Sequence, residues 1–424
     1  MQTDFDAIII GAGPAGSTAA ILLAEAGWSV ALIEKQRFPR RKVCGECIAA
    51  SNLPLLDALG VGDAFAALAG LELRRVALMR GEETITADLP ASSHPAHRWG
   101  RALGREHLDT LLLLRAKEAG ASLLQPWSAL SLRGQPGRFE CDVTALDDGQ
   151  SATLRAPLAI AAHGSWEPLP ADRAARRAAR RASDLFAFKA NFGDSNLAEG
   201  LLPVLAFRGG YGGMVVADHG IATLACCIRE DRLAACRKAA PGKSAGEVVE
   251  DYLQSECAGV RDALRGAVRQ EAWLGSGPIR PGIRMPRDGG DVLLIGNAAG
   301  EAHPIVGEGM SMAMQSAWLL CERLIRQRDA PLCGDAGRAL RREYAIAWRR
   351  NFAPRIRLAA WLSWLAMRPA LGVGLSPLLR TWPTLLTQVA RLSGKVRCAA
   401  DPATIACNSH LRDPHFRNLL HDNA

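Results

Sequence analysis

One segment restricts the possible folds of this chain more than any other: FDAIIIGAGPAGSTAAILLAEAGWSVALIEK, residues 5–35. Its apolar run Ala7–Ile10 predicts a buried strand of a parallel sheet. The Ala- and Leu-rich residues 17–26 predict a helix, and Val30–Ile33 predicts a second strand. A strand, a helix and a second strand in this order form the first unit of a doubly wound α/β sheet.

The turn between the first strand and the helix has the spacing G-x-G-x-x-G, at Gly11, Gly13 and Gly16. The first glycine permits a tight turn, the second lets a pyrophosphate approach the backbone, and the third lets the helix pack on the strand. Glu34 follows the second strand, where a carboxylate accepts hydrogen bonds from ribose hydroxyls. Because that carboxylate disfavours a ribose 2′-phosphate, the pattern predicts FAD or NAD rather than NADP.

Two later segments add to this pattern. LGREHLDTLLLLRAKEAGA places Arg105 at the start of an amphipathic helix. Further along, a strand predicted at 292–295 runs into small residues at 296–300, and a Gly-Glu-Gly turn at 307–309 opens a long helix. The small residues allow a close approach of the backbone, and the helix start directs N–H groups at a phosphate or an electron-rich ring.

Together these segments resemble the glutathione-reductase-2-type flavoproteins, a superfamily of aromatic hydroxylases, flavin-dependent halogenases and geranylgeranyl reductases. The resemblance covers residues 5 to about 330 and includes a counterpart of the motif GDAA…P…G-x-G. It implies bound FAD, with the glycine loop at the ADP part and the later motif at the ribitol and isoalloxazine. The residues implied to bind FAD are Gly11, Gly13, Pro14, Ala15, Gly16, Glu34, Lys35, Arg41, Cys44, Arg105, Gly296, Asn297, Pro304, Gly307, Gly309 and Met310.

The resemblance implies an α/β fold. A Rossmann-type FAD-binding domain is expected to be interleaved with a substrate domain made of a mostly antiparallel β-sheet, with strands at 213–218 and 221–228. A helical C-terminal region should follow, broken into short helices at Pro354, Pro369, Pro377 and Pro383. The predicted boundaries are 1–80, 100–170 and 280–330 for the FAD-binding domain, 80–100 and 180–280 for the substrate domain, and 335–424 for the C-terminal region.

Two positions depart from the family pattern. Asn297 replaces the Asp of GDAA, so it can hydrogen-bond the ribitol but carries no charge. His163-Gly164 replaces an Asp-Gly pair that assists FAD and pyridine-nucleotide use in the hydroxylases. NADH or NADPH as a transient reductant is therefore implied by the resemblance but not supported by this motif.

The reaction is open between several subfamilies. The W-x-W-x-I-P box and the catalytic lysine of halogenases have no counterpart: GGYGGMVVAD lacks tryptophan, and no lysine lies between Lys42 and Lys117. Cys44-Gly45 and the Gly-Glu-Gly turn resemble geranylgeranyl reductases. They equally resemble bacterial hydroxylases of bulky substrates, including the group that hydroxylates a protein-bound tryptophan during quinone-cofactor maturation.

The resemblance implies first an FAD-dependent monooxygenase. It would hydroxylate an electron-rich aromatic, a phenol or an indole on a bulky or protein-bound substrate, through a flavin C4a-hydroperoxide. The alternatives are a reductase of isolated C=C bonds in an isoprenoid, a halogenase, and a non-catalytic flavoprotein that acts as an assembly factor.

Four side chains are candidates for contact with the reacting groups. His303 is expected near the flavin face, where an imidazole suits proton transfer with a phenol or indole, or else bonded to its own loop. Glu308 is either a catalytic acid or a turn residue stabilised by the helix dipole. Tyr211 lines the substrate pocket or packs in the core. Cys44 is expected at the active-site wall.

Cys44 and Cys47 form a C-x-x-C pair. A structural zinc ion needs four ligands, and the sequence has no second pair at suitable spacing, so no metal site is predicted. Disulfide-reducing flavoenzymes use C-x-x-x-x-C and a second glycine motif, which is not found here. We therefore expect Arg40, Arg41 and Lys42 to face the pyrophosphate, Glu46 to start a helix, and Cys47 to pack in the core.

Composition bears on location and partners. Eleven scattered cysteines are typical of a reducing compartment, and Asp4 and Asp6 occupy the place of a basic signal-peptide region, so the chain is predicted to be cytoplasmic. A net charge of +8 favours anionic ligands, but with three tyrosines and no aromatic-rich basic stripe, nucleic acid is not a predicted partner.

Two surface segments suggest partners. An arginine face at 171–183 predicts either a solvated helix or a docking surface for an acidic partner, such as a carrier- or protein-bound substrate. Its arginines are Arg173, Arg176, Arg177, Arg180 and Arg181. The apolar stretch 358–367 is too short to span a bilayer. We expect it to pack on the flavin domain, with a peripheral membrane contact as the less favoured alternative.

Overall fold

The strand–helix–strand segment forms as the sequence predicts. The structure, a computed structural model, describes residues 2–165, 181–328, 332–374 and 376–399. Its strands, in chain order, are β1 (Ala7–Ile10), β2 (Val30–Ile33), β3 (Cys47–Ile48), β4 (Arg75–Arg80), β5 (Glu83–Asp88), β6 (Arg101–Ala102), β7 (Ser122–Leu124), β8 (Trp127–Gln135), β9 (Arg138–Ala145), β10 (Ser151–Ala156), β11 (Leu158–Ala161), β12 (Leu185–Gly193), β13 (Leu201–Phe207), β14 (Gly210–Val216), β15 (Ala222–Arg229), β16 (Val268–Arg269), β17 (Leu274–Ile279), β18 (Gly282–Ile283), β19 (Leu293–Leu294) and β20 (Gly300–Glu301).

The helices cover the parallel sheet and form the C-terminal part of the described chain. In chain order they are α1 (Pro14–Glu25), α2 (Leu53–Ala58), α3 (Gly62–Leu68), α4 (Arg105–Glu118), α5 (Glu230–Ala239), α6 (Ala245–Glu256), α7 (Ala258–Ala263), α8 (Gly309–Arg326), α9 (Gly334–Ala366), α10 (Pro369–Val373), α11 (Ser376–Thr381) and α12 (Thr384–Ser393). Within the described ranges, none of them combines the length and apolarity needed to cross a membrane.

The parallel sheet has the strand order β19-β11-β1-β2-β7. β1, β2 and β11 are buried along their whole length, as expected for strands covered on both faces. α1 packs between the sheet and the helices α4 and α8. The carboxyl ends of β1 and β2 therefore meet the start of α1, which is where such sheets bind ligands.

A larger sheet carries the second core. Its order is β16-β12-β15-β14-β13-β4-β5, with β17 on β12, and its pairs are antiparallel except β13 with β4. α6 and α7 pack on one face of it. This arrangement confirms the predicted fold class. The predicted domain boundaries stay a prediction. β4, which ends at residue 80, belongs to this sheet, although residues 1–80 are predicted for the FAD-binding domain.

The C-terminal region differs from expectation at one proline. Pro354 was expected to end a helix, but α9 continues through it. Trp348, Phe352 and Ile356 on either side are buried, so packing of this face offsets the lost backbone hydrogen bond. Pro369 and Pro383 do lie at helix starts, which is where proline fits.

Candidate active site

The loop between β1 and α1 leaves open space for a ligand. Gly11 has a φ of 102°, and its N–H donates to the Ile33 carbonyl at 2.8 Å. A Cβ at Gly16 would lie 1.8 Å from the Gly11 oxygen, so helix and strand can pack this closely only with glycine there. At Gly13 an added Cβ would meet only Arg105 Nη2, 3.8 Å away. A ligand can therefore approach the backbone at Gly13.

Glu34 lies at the end of β2 and is 5% exposed. Its Oε2 accepts the Ala12 N–H at 3.0 Å, and its Oε1 accepts the Gln36 N–H at 2.8 Å. The carboxylate thus ties the glycine loop to the end of β2 while it lines the cavity, as the ribose-binding prediction requires.

Arg40, Lys42 and Arg105 bring positive charge to this part of the cavity. Arg105 makes two hydrogen bonds to Asp109, at 2.7 and 2.6 Å. Burial acts to lower the pKa of Arg105, but the Asp109 carboxylate raises it overall. Burial, followed by the charges of Arg105 and Arg40, lowers the pKa of Lys42 to about 8. An anionic ligand would relieve this repulsion between cations.

Several guanidinium nitrogens here are buried without a hydrogen-bond acceptor among the described residues. They are Arg40 Nε and, on Arg41, Nε and Nη2, whereas Arg41 Nη1 pairs with Glu271. Donors left without acceptors in a cavity wall are costly unless a ligand supplies the acceptors. The residues present therefore fit the pyrophosphate of FAD. The flavin part of FAD would supply redox chemistry when bound.

The cavity has a volume of about 1070 Å³ and extends from the glycine loop past β14 and β15 to the C-terminal helices. All but one of the predicted FAD-binding residues line it; Gly16 packs behind the loop. The lining members are Gly11, Gly13, Pro14, Ala15, Glu34, Lys35, Arg41, Cys44, Arg105, Gly296, Asn297, Pro304, Gly307, Gly309 and Met310. Their roles in binding FAD remain a prediction that this placement supports.

The second glycine-rich segment lies directly against the first. Gly296 has a φ of 58°, and a Cβ there would lie 2.9 Å from the Ala15 side chain. Asn297 donates from Nδ2 to Glu301 Oε1 at 3.2 Å, so a neutral amide holds the place of the family's Asp. Gly307 is left-handed with a φ of 61° and precedes the start of α8.

His303 and Tyr211 form a pair. Tyr211 Oη lies 2.9 Å from His303 Nδ1, and burial lowers the pKa of His303 to about 4. The imidazole is therefore neutral at pH 7 and can accept a hydrogen bond from the Tyr211 hydroxyl, whose own pKa burial raises well above its ordinary value. Tyr211, Ala302 and Pro304 line the cavity, whereas His303 stands behind Tyr211 rather than in the wall.

Glu308 lies away from the cavity wall, at the start of α8. It is fully buried, and its Oε1 lies 3.2 Å from Lys395 Nζ. Burial raises the pKa of Glu308 against the opposing charges of Lys395 and Arg355. The same ammonium group lies 3.5 Å from Cys47 Sγ, so Cys47 contacts an ion pair as well as the core. Lys395 was missed because nothing near it in sequence indicates a site.

Cys44 lies in the cavity wall, as predicted, and is half-buried. Its sulfur accepts the Glu46 N–H at 3.4 Å. Cys44 and Cys47 are both free thiols. Burial raises the pKa of the Cys47 thiol, which makes it a poor nucleophile.

The prediction that Glu46 starts a helix is wrong. Glu46 has a left-handed φ of 55° and points into the interior, where Oε2 accepts the Thr223 hydroxyl at 2.6 Å. Its Oε1 accepts the Arg105 N–H at 3.2 Å and pairs with Lys189. The signal for Lys189 was present in the sequence, because a single cation interrupts the apolar strand LFAFKANFG.

Other predictions fall outside this site. Arg173, Arg176, Arg177 and Arg180 lie outside the described residues, and Arg181 is exposed. The absence of a metal site stays a prediction. Within the described ranges, one group of potential metal ligands was found, His107, Asp218 and His219, and it does not line the cavity.

Known proteins similar to this chain include reductases and a halogenase. A menaquinone reductase of Mycobacterium tuberculosis is 33% identical over 164 residues, which cover 39% of this chain and only 38% of that relative. A menaquinone reductase of Mycolicibacterium smegmatis is 24% identical over 96% of this chain and 95% of its own length. The structure of the myxobacterial chondrochloren halogenase CndH matches with a TM-score of 0.72 at 17% identity, covering 94% of this chain and 98% of that one.

That structural likeness shows the fold, and the family follows from a direct match. The model of the FAD binding domain family matches residues 4–222, more than half of the chain, including the glycine loop, Glu34, Cys44 and Arg105. Since the match also agrees with the cationic cavity and the open space at Gly13, this chain belongs to the FAD binding domain family of flavin-dependent oxidoreductases.

Proposed function

We propose that this protein is an FAD-dependent monooxygenase that hydroxylates an electron-rich aromatic group, a phenol or an indole, on a bulky apolar substrate. The observation that carries this proposal is Tyr211 in the cavity wall, with its hydroxyl 2.9 Å from the His303 imidazole. A substrate hydroxyl or ring N–H that meets Tyr211 could donate a hydrogen bond to the phenolic oxygen, which the His303 imidazole orients. Such a hydrogen bond increases the electron density of the aromatic ring and makes it a better acceptor of oxygen.

The surroundings of the pair support this chemistry. Val204, Ala206, Met214 and Ile279 also line the cavity and provide apolar walls, and Ala206 and Ile279 pack in one cluster with Tyr211. Such walls exclude water from a reactive oxygen species. One oxygen atom of O₂ would enter the substrate and the other would leave as water, with NADH or NADPH supplying two electrons.

A reductase of isolated C=C bonds is the second candidate. It is favoured by the Cys44 thiol in the cavity wall and by the similarity to the menaquinone reductase of Mycolicibacterium smegmatis along nearly the whole chain. This reaction would add two hydrogens to the substrate and would consume no O₂.

One experiment separates the two reactions. The FAD-loaded protein is reduced with dithionite under anaerobic conditions and then mixed with isotopically labelled O₂, in the presence of phenols, indoles or isoprenoid quinones. A monooxygenase should show an oxygen-dependent absorbance transient and incorporate one labelled atom into the product. Tyr211→Phe should slow product formation without loss of bound FAD. Anaerobic gain of two hydrogens, with no label in any product, would replace the monooxygenase proposal by the reductase.

A further inference from the structure

The C-terminal part of the chain carries the whole positive excess of the protein. Between Glu343 and Asp401 the sequence has nine cationic residues and no acidic one. The remainder has 42 cationic and 43 acidic residues, so without this segment the chain would be almost neutral. Arg355 and Lys395 are buried and Arg380 pairs with Glu83, so an anionic partner would meet the exposed cations of this segment, such as Arg357 and Arg391.

The same segment exposes most of the large apolar side chains that the described surface contains. Eight of twelve exposed large hydrophobic residues lie between 346 and 392. They are Ile346, Trp361, Trp364, Leu371, Leu378, Trp382, Leu385 and Leu392. Three exposed tryptophans, each 47–57% exposed, are more than the scattered apolar residues of an ordinary surface.

On α9 the cations and tryptophans form one stripe. Arg357, Trp361 and Trp364 follow each other at intervals of four and three residues, which places them on one side of α9, and Arg368 follows shortly after the helix ends. The Arg368 guanidinium lies 4.5 Å from the centre of the Trp364 ring. Tryptophan beside arginine is the composition of helices that lie in a membrane interface.

The short helix α12 repeats this pattern. Leu385, Val389 and Leu392 follow at intervals of four and three residues, and Leu392 is 68% exposed. Arg391 is exposed next to them and, like Arg357, has no ion-pair partner within the described ranges. Trp382 directly precedes the helix.

Four of these eight exposed residues also lie at the mouth of the cavity. Trp361, Leu378, Leu385 and Leu392 line the cavity and are exposed at the same time. Apolar side chains of α9 and α12 therefore line the same cavity as Tyr211. The cationic rim and the apolar mouth lie on the same helices.

We propose that α9 to α12 dock this protein on the surface of an anionic lipid bilayer, with the mouth of the cavity facing the lipid. A lipid surface supplies both an apolar phase for the tryptophans and negative charge for the arginines. A second copy of the chain would meet the same excess of cations and would be repelled. Delivery of the substrate from the bilayer rests on the proposed function, but docking does not.

Vesicle flotation tests the docking without turnover. The FAD-loaded full chain is mixed with vesicles of phosphatidylglycerol and phosphatidylcholine, or of phosphatidylcholine alone. We expect flotation with the anionic vesicles that weakens as salt is added. Since each surface cation contributes about a fivefold factor, Arg357→Gln with Arg391→Gln should weaken binding roughly twentyfold. Trp361→Ala with Trp364→Ala and Trp382→Ala should reduce binding by a similar or larger factor.

A matched control lies outside the C-terminal segment, on another sheet. Leu130 and Arg138, both exposed on the three-stranded sheet β8 to β10, provide the control variant Leu130→Ala with Arg138→Gln. It should float as the unmodified chain does, and all variants should keep bound FAD. No flotation at low salt, or flotation that the C-terminal variants leave unchanged, would overturn the proposal. Self-association that the tryptophan variants abolish, without flotation, would show that a second copy covers this surface.

Discussion

The Glu46 carboxylate and the Lys189 ammonium group form an ion pair that is 1% and 0% exposed, and this pair joins the Cys44 loop to β12 of the large sheet. The Thr223 hydroxyl and the Arg105 N–H complete the hydrogen bonds of the carboxylate. Arg105 begins α4 and also lines the cavity. The ion pair therefore links α4 to the large sheet.

Removing one partner of this pair should destabilise the fold. Lys189→Met leaves the Glu46 charge buried without compensation, and we expect a loss of about 3–5 kcal/mol in the free energy of unfolding. The double variant Lys189→Met with Glu46→Gln should recover a large part of that loss. Urea unfolding of the FAD-loaded protein measures both values. A single variant within 1 kcal/mol of the unmodified chain would show that the charge is not buried.

Two glycines of the same loop should behave differently. At Gly13 the backbone is extended and the space in front is open, so Gly13→Val should weaken FAD binding by roughly a hundredfold with little change in the melting temperature of the FAD-free protein. Gly16→Ala should lower both the affinity for FAD and the melting temperature, because the added Cβ would collide with the Gly11 oxygen. Fluorescence titration with FAD and thermal melting separate the two effects, and equal behaviour of both variants would contradict the assignment.

The affinity for FAD should depend on pH through Lys42. Without a ligand the pKa of Lys42 is lowered to about 8, mainly by burial, and an anionic ligand favours its charged form. FAD binding should therefore weaken as pH rises above 8, by at most about tenfold per pH unit. Lys42→Ala should bind more weakly at pH 7 and lose this dependence. Lys243→Ala, at an exposed residue paired with Asp251, is the matched control.

His303 should make the fold sensitive to acid. Its pKa is about 4 in the folded protein, against an ordinary value of 6.5. The unfolded chain thus binds the proton first, and stability is lost as pH falls from about 6.5 towards 4, by at most about 3 kcal/mol. His303→Gln should flatten this part of the pH profile measured by urea unfolding. The exposed His219→Gln is the control, and an unchanged slope in His303→Gln would contradict the prediction.

The two thiols should react at different rates. Cys44 lies in the cavity wall, whereas Cys47 is buried and its pKa is raised. Iodoacetamide should label Cys44 first, and bound FAD should protect it, as peptide mass spectrometry would show. The contrary outcome is that Cys44→Ser and Cys47→Ser abolish turnover equally and that a reversible disulfide forms between the two residues. That outcome would show that the two cysteines act as a redox pair.

The local part of the site was predictable because its geometry depends on neighbours in the chain. The turn at Gly11, Gly13 and Gly16, the carboxylate of Glu34 and the start of α4 at Arg105 all follow from short-range pattern. The later segment at 296–310 was predictable for the same reason, and the structure places it against the first.

Contacts between distant residues were not predictable in this way. Glu46 and Lys189 are 143 residues apart, and Tyr211 and His303 are 92 residues apart. In sequence, Glu46 looks like an exposed helix-starting residue, and only the approach of β12 and β15 turns it into a buried anion that needs a cation.

The sequence by itself thus determined the α/β class, the nucleotide loop and the family of this protein, because backbone turns and hydrophobic period are local properties. Only the tertiary structure decided which side chains meet in the cavity, that His303 contacts Tyr211, and that the C-terminal helices border the cavity. Burial and charge pairing arise when distant elements pack together, and no local pattern specifies them.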